Sequence, residues 1–170
     1  GEENPQRLSA CLRLAKRRVA LVVALADIGG LWPLETVTGA LTRFADTCLQ
    51  VVVEHVLRKA HARGRLVLPD PANPTYRCGY ILLGMGKLGA AELNYSSDID
   101  LIAVYDDEIA PVADRAAMGS VFVGITREVV RLMEERTVDG YVFRTDLRLR
   151  PDPGVTPIAV SVSSAERYYG

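Results

Sequence analysis

Cysteine is scarce and dispersed. Cys11, Cys48 and Cys78 are the only three in 170 residues, an odd number set far apart, which argues against a disulfide framework. Neither Cys-x-x-Cys nor His-x-x-x-His spacing occurs, so no zinc centre is expected. Reduced thiols suit a cytoplasmic protein. The two histidines, His55 and His61, read as helix-surface or packing residues. Long apolar runs are missing as well. A membrane helix needs roughly 18 apolar residues, and the longest run, residues 19–26, is broken by Asp27 and two glycines. Gly1-Glu2-Glu3-Asn4 is acidic and polar, unlike a secretory signal. Neither sign of charge prevails: 20 Lys+Arg stand against 21 Asp+Glu, a net charge of -1. A dedicated nucleic-acid binder would show a basic excess. The expectation is therefore no nucleic-acid partner and no membrane, while a local phosphate site stays open.

What is present suits one globular core. Hydrophobic residues make up 49% and charged residues 24%, in a chain too short for two full domains. Asn4 can cap a helix that opens at Pro5. Leu8, Leu12, Ala15, Val19 and Val22 recur at helical spacing until Gly29-Gly30 stops the pattern. A second helix begins near Pro33, after Trp32, a core anchor. Val37, Leu41, Phe44, Cys48, Val52 and Val56 line one face of it, and Lys59, His61 and Arg63 supply the cations that favour a helix C-terminus. Pro69, Pro71 and Pro74 mark a connector. Residues 1–74 thus read as a helical lead-in packing on a core at 75–170. In that core residues 80–83 and 99–105 read as strands and 113–136 as a helix. Residues 141–149 alternate as a strand, 151–154 form a turn and 158–162 a last strand, before a helix capped by Ser163 or Ser164. The order implies an α+β (α/β) fold, a mixed sheet with flanking helices.

Gly84-Met85-Gly86-Lys87-Leu88-Gly89 follows the first strand and spells G-x-G-x-x-G, with Asp106 about twenty residues on, where a ribose-binding acid would sit. The letters alone are weak. The stretch from Met85 to Ser97 is tight for a parallel crossover, which usually needs a dozen or more residues, and Asn94-Tyr95-Ser96-Ser97 breaks a helix. A dinucleotide site is not expected.

Asp98 and Asp100 are two apart, so in extended chain they project from one face, with Ile99 and Leu101 on the other. Two carboxylates so close repel unless a cation lies between them, and hard oxygen donors favour Mg²⁺ or Mn²⁺. A solvated strand end is the plainer alternative. Asp146 on a later strand would be a third acid, and three converging carboxylates can hold two divalent ions about 4 Å apart, an arrangement suited to displacement at phosphorus. Arg148 shares the face of Asp146, as do Arg144 and Arg150; guanidinium groups suit phosphate oxygens, and an ion-paired exposed sheet face suits them equally. Backbone N–H groups of the glycine turn, with Lys87, would cradle phosphate.

Met85-Gly86-Lys87 and Asp98-Ile99-Asp100-Leu101 resemble the pattern of the nucleotidyltransferase superfamily that includes DNA polymerase β, with Lys87 in place of a small residue. The longer runs Gly84-Met85-Gly86-Lys87-Leu88-Gly89 and Glu92-Leu93-Asn94-Tyr95-Ser96-Ser97-Asp98-Ile99-Asp100-Leu101 resemble a signature of the bacterial glutamine-synthetase adenylyltransferase/adenylyl-removing enzymes. Tyr141-Val142-Phe143-Arg144-Thr145-Asp146-Leu147-Arg148-Leu149-Arg150-Pro151 is similar to that family's second signature. The likeness covers residues 80 to 170. The stretch Asp152-Pro153-Gly154-Val155-Thr156-Pro157 departs from the Gly-rich loop many members carry there.

The resemblance implies a polymerase β-like nucleotidyltransferase fold and a domain of a larger enzyme with two such copies. One copy transfers AMP from ATP to a tyrosine of glutamine synthetase; the other removes it by phosphorolysis and releases ADP. The forms found here are similar to the N-terminal, adenylyl-removing copy. Asp98, Asp100 and Asp146 are then the catalytic acids and ligands of Mg²⁺ or Mn²⁺. Gly84, Gly86, Lys87, Ser97 and Arg148 line the nucleotide or phosphate. Glutamine synthetase is the implied protein substrate, ADP or ATP the nucleotide, and a nitrogen-signalling regulatory protein a partner of the whole enzyme. The forward transferase and a non-catalytic interaction domain remain as alternatives.

Overall fold

The computed structural model describes residues 5–150 and 152–169. The expected cap Asn4, and Pro151 of the expected turn, lie outside the described residues. Helix α1 (Pro5–Ile28) ends where the sequence turns to glycine, with Gly30 at φ +64. Its inward face is not quite the expected one. Ser9, Leu12, Arg13, Val23 and Ala26 are buried, whereas Val22 is exposed. Arg13 is held inward by Glu135: its guanidinium donates to the Glu135 carbonyl at 3.2 Å and approaches the Glu135 carboxylate at 3.5 Å. Helix α2 (Leu34–Ala62) follows Pro33 and buries Val37, Leu41, Cys48, Val52 and Val56 as the spacing predicts. Trp32 is half-buried against the same core.

Strand β1 (Tyr80–Met85) leads through a single helical turn, α3 (Gly86–Gly89), and a loop into β2 (Ile99–Tyr105). The two strands run antiparallel, from Tyr80 beside Tyr105 to Met85 beside Asp100. Helix α4 (Met118–Glu134) follows a short 3-10 turn, then β3 (Thr145–Asp146), β4 (Ala159–Ser161) and α5 (Val162–Tyr169). Strands β3 and β4 both pair parallel to β2. Because β1 takes one edge of β2 along its length, β3 and β4 share the other edge, end to end.

Alternation along β2 divides its side chains between two faces. Ile99, Leu101 and Ala103 join the main core with α2 and α4, while Ile102 and Val104 pack with Val160, Met85, Val162 and Ala165 on the opposite side. Phe122 of α4 is fully buried and stacks on Tyr80 and Tyr105, with ring centroids at 6.0 and 4.9 Å. The Tyr80 hydroxyl is hydrogen-bonded to that of Thr126 at 2.9 Å, so the buried phenol is satisfied.

Two expectations are corrected. The predicted strand over 141–149 is reduced to Thr145 and Asp146. Consecutive Val142 and Phe143 are both buried and both donate their N–H to the Met133 carbonyl at 3.0 Å, which alternating extended chain does not allow. After Asp146 the chain turns, because the Arg148 N–H donates back to the Asp146 carboxylate at 2.8 Å. The cap of α5 is Ser161, whose Oγ accepts from the Ser164 N–H at 3.2 Å, and not Ser163 or Ser164. Ser163 instead donates its hydroxyl to Asp107 at 2.6 Å, fastening α5 to the end of β2.

Candidate functional site

The glycine turn sits at the tip of an antiparallel pair, which removes the parallel strand–helix–strand unit that a dinucleotide fingerprint requires. Asp106 is accounted for in the same way: its carboxylate accepts from the N–H groups of Glu108 and Ile109 at 2.9 and 3.2 Å and shapes a turn. The glycines divide by task. A side chain on Gly84 would meet Leu88 at 3.0 Å, and one on Gly89 would meet the Gly84 carbonyl at 2.6 Å, so these two let α3 fold down on β1. Gly86 differs. It has φ +52, and a Cβ there would lie 2.6 Å from Asp100 Oδ2. The backbone of the turn thus lies against the acid. Lys87 next to it is exposed.

Of the acids, Asp100 and Asp146 are brought together as direct partners across the β2–β3 pairing. The Asp100 carboxylate is half-buried and makes no hydrogen bond among the described residues. Asp98 stands just before β2 and is exposed, where it accepts a short hydrogen bond from Arg144 Nε. Arg144 also donates to the Ser96 carbonyl at 3.2 Å, and its own carbonyl accepts from the Ile99 N–H at 3.0 Å. One arginine therefore ties the start of β3 to the approach to β2. Ser97 donates its hydroxyl to Asn94 Oδ1 at 2.5 Å and so holds that approach as a tight loop. Tyr95 in the same loop donates to Asp27 of α1 at 3.0 Å.

Asp146 is gripped more fully. Arg148 Nε donates to its two oxygens at 3.0 and 2.9 Å, and Nη2 to Oδ2 at 2.5 Å. These bonds, followed by the Arg148 backbone N–H, hold the Asp146 carboxyl below the usual carboxylate range. Asp98 and Asp100 add to the negative field at Arg148. Sequence reasoning missed Glu134. At the last turn of α4 it accepts from the Thr145 N–H at 2.8 Å and the Thr145 hydroxyl at 2.7 Å, which sets the position of two-residue β3. Nothing in the local pattern Met133-Glu134-Glu135-Arg136 separates it from ordinary helix-end charge.

Among the described residues no three His, Cys, Asp or Glu side chains form a ready-made cation cluster. By residue type alone, the carboxylates of Asp98, Asp100 and Asp146 are hard oxygen donors of the kind a divalent ion takes. A Cβ at Gly86 would fill the space beside Asp100 Oδ2, while the guanidinium groups paired with Asp98 and Asp146 would compete with a cation for those two acids.

The family model for glutamate-ammonia ligase adenylyltransferase matches residues 1–170. The chain belongs to this family. A bifunctional glutamine synthetase adenylyltransferase/adenylyl-removing enzyme of Bradyrhizobium sp. (strain ORS 278) is 51% identical over 158 residues, 93% of this chain and 16% of the relative. The protein of the same description from Rhizobium meliloti (strain 1021) is 49% identical over the same shares. That from Brucella suis biovar 1 (strain 1330) is 48% identical over 166 residues, 98% of this chain and 17% of the relative. The chain thus spans about a sixth of the length of these adenylyltransferase-family relatives. Among the described residues no helix is long and apolar enough to cross a membrane.

Proposed function

We propose that this chain carries the adenylyl-removing reaction: phosphate attacks the AMP held on a tyrosine of glutamine synthetase, the phosphorus–tyrosyl oxygen bond breaks, and ADP leaves. The observation that supports it most is the register of Asp100 on Asp146, with the Gly86 backbone closed against Asp100. The printed names of the relatives include both directions of adenylyl transfer. The choice between them rests on the Asn-Tyr-Ser-Ser-Asp-Ile-Asp and Phe-Arg-Thr-Asp-Leu-Arg-Leu-Arg-Pro forms at residues 94–100 and 143–151. Residues 75–170 carry the chemistry in this reading and residues 1–74 brace it.

Asp98, Asp100 and Asp146 would hold one or two Mg²⁺ or Mn²⁺ ions, which would supply positive charge to the phosphoryl oxygens and the departing tyrosinate. The chain's own residues do the rest. Gly86 keeps side-chain bulk away from Asp100. Lys87 and Arg148 offer cationic donors to phosphate oxygens. Arg144 and Glu134 position Asp98 and β3. Phosphate and a phosphodiester are both anions, so the site must gather positive charge before they can meet.

Adenylylated glutamine synthetase incubated with this protein, phosphate and Mg²⁺ should yield ADP. Asp98→Asn and Asp100→Asn should each abolish that yield without altering the circular dichroism spectrum. Pyrophosphate release from ATP with unmodified glutamine synthetase, and no phosphate-dependent ADP, would assign the forward transferase instead.

A further inference from the structure

We propose that Arg148 and a divalent cation compete for the Asp146 carboxylate, and that the displaced guanidinium then takes a phosphate oxygen, so that cation binding precedes and promotes anion binding. The inference rests on the acids being cation ligands, as read above, and adds an order of events to that reading.

Four observations carry it. The Arg148 guanidinium engages both oxygens of Asp146, the same lone pairs a metal ion would need. The backbone N–H of Arg148 bonds Asp146 Oδ1 at 2.8 Å independently of the side chain, so the carboxylate keeps its aim after the guanidinium swings off. The Arg148 side chain is 83% exposed against 16% for Asp146, so the arginine can move without disturbing packing while the acid stays fixed. Finally, Arg148 lies in the field of Asp98 and Asp100 as well as Asp146. A divalent ion among these three acids cancels much of the charge that holds the guanidinium. The freed fork is well shaped for a phosphate oxygen pair.

Arg144 is the instructive contrast. It pairs with Asp98 but is also bonded to the Ser96 carbonyl, so it has a reason to stay when a cation arrives. Among the described residues, the hydrogen bonds of the Arg148 guanidinium all go to Asp146.

The test reads two affinities of opposite expected sign. Mn²⁺ binding is followed by electron paramagnetic resonance, and inorganic phosphate binding by calorimetry at saturating Mg²⁺. Arg148→Gln should tighten Mn²⁺ by about threefold to fivefold, the scale of an exposed ion pair, and should weaken phosphate by at least as much. A structural role alone would move both affinities the same way or neither, and either result overturns the proposal. Asp100→Asn is the control. If wild-type protein binds Mn²⁺ and Asp100→Asn does not, the acids are ligands, and a failure at Arg148 belongs to the exchange alone. If wild type and Asp100→Asn bind Mn²⁺ equally, or neither binds, the ligand assignment falls and the exchange with it.

Discussion

Asp100 on β2 lies directly beside Asp146 on β3, partnered in parallel register. Like charges on adjacent strands oppose the pairing. The fold offsets this on the β3 side: Arg148 neutralises Asp146, and Glu134 clamps Thr145, the residue before it, from a helix end. A two-residue strand keeps its place because a helix holds it there.

Glu134→Ala should therefore loosen β3 more than its half-exposed position suggests. The Thr145 N–H and hydroxyl both lose their acceptor. A loss of about 1–3 kcal/mol is expected, the cost of leaving such donors unpaired. Urea unfolding measures it, and faster amide exchange at Thr145 and Ile99 should accompany it.

Gly86→Ala should damage the site more than the fold. The residue sits at φ +52, and the new methyl would press on Asp100 Oδ2 at 2.6 Å. Backbone strain of roughly 1–2 kcal/mol is the expected stability loss. Mn²⁺ affinity and ADP formation should each fall by about tenfold or more, since the carboxylate must turn away. Parallel titrations of metal and of urea separate the two effects.

The Glu128 cluster sets a pH dependence. Hydrogen bonds from Arg131, and then from Lys59, hold the Glu128 carboxyl down at about 2 against an ordinary 4.5. The folded state favours the charged form, so this stabilisation is fully present above about pH 4.5 and is lost as the pH falls towards about 2. Glu128→Gln should be less stable than wild type at pH 7, and the gap should close through that window. Thermal melts at stepped pH test the sign.

Phe122→Ala should be the most destabilising of these changes, by roughly 3–5 kcal/mol, because it empties a fully buried slot between two tyrosine rings. Chemical denaturation should report the loss with little change in Mn²⁺ affinity, since Phe122 packs on the face of β2 opposite Asp100.

How far the sequence could be read depended on whether local pattern or distant partners decide each element. Helix α2 is legible because its apolar stripe, its proline start and its basic last turn agree. Strand β2 is legible for the same reason, an apolar run ended by Asp106-Asp107. The length of β3 is not, because the Met133 carbonyl and the Glu134 carboxylate, on the preceding helix, bend residues 142–145 away from simple alternation. The burial of Arg13 is equally hidden, since an arginine at helical spacing reads as surface until Glu135 appears beside it. At the site, the three acids and Arg148 stand out by residue type, but their grouping into guanidinium–carboxylate pairs is a matter of which strands adjoin.

Strands β3 and β4 occupy one margin of β2 in tandem, so the chain leaves the sheet after Asp146 and rejoins it at Ala159 along that same margin. Arg150 ties this excursion shut at its base through the carbonyls of Leu147, Pro153 and Thr156. Length added beyond that knot, around Gly154, would project outward and leave both pairings in register. The excursion is thus a natural graft point, where a reporter peptide or a longer lid could be spliced in without shifting either acid.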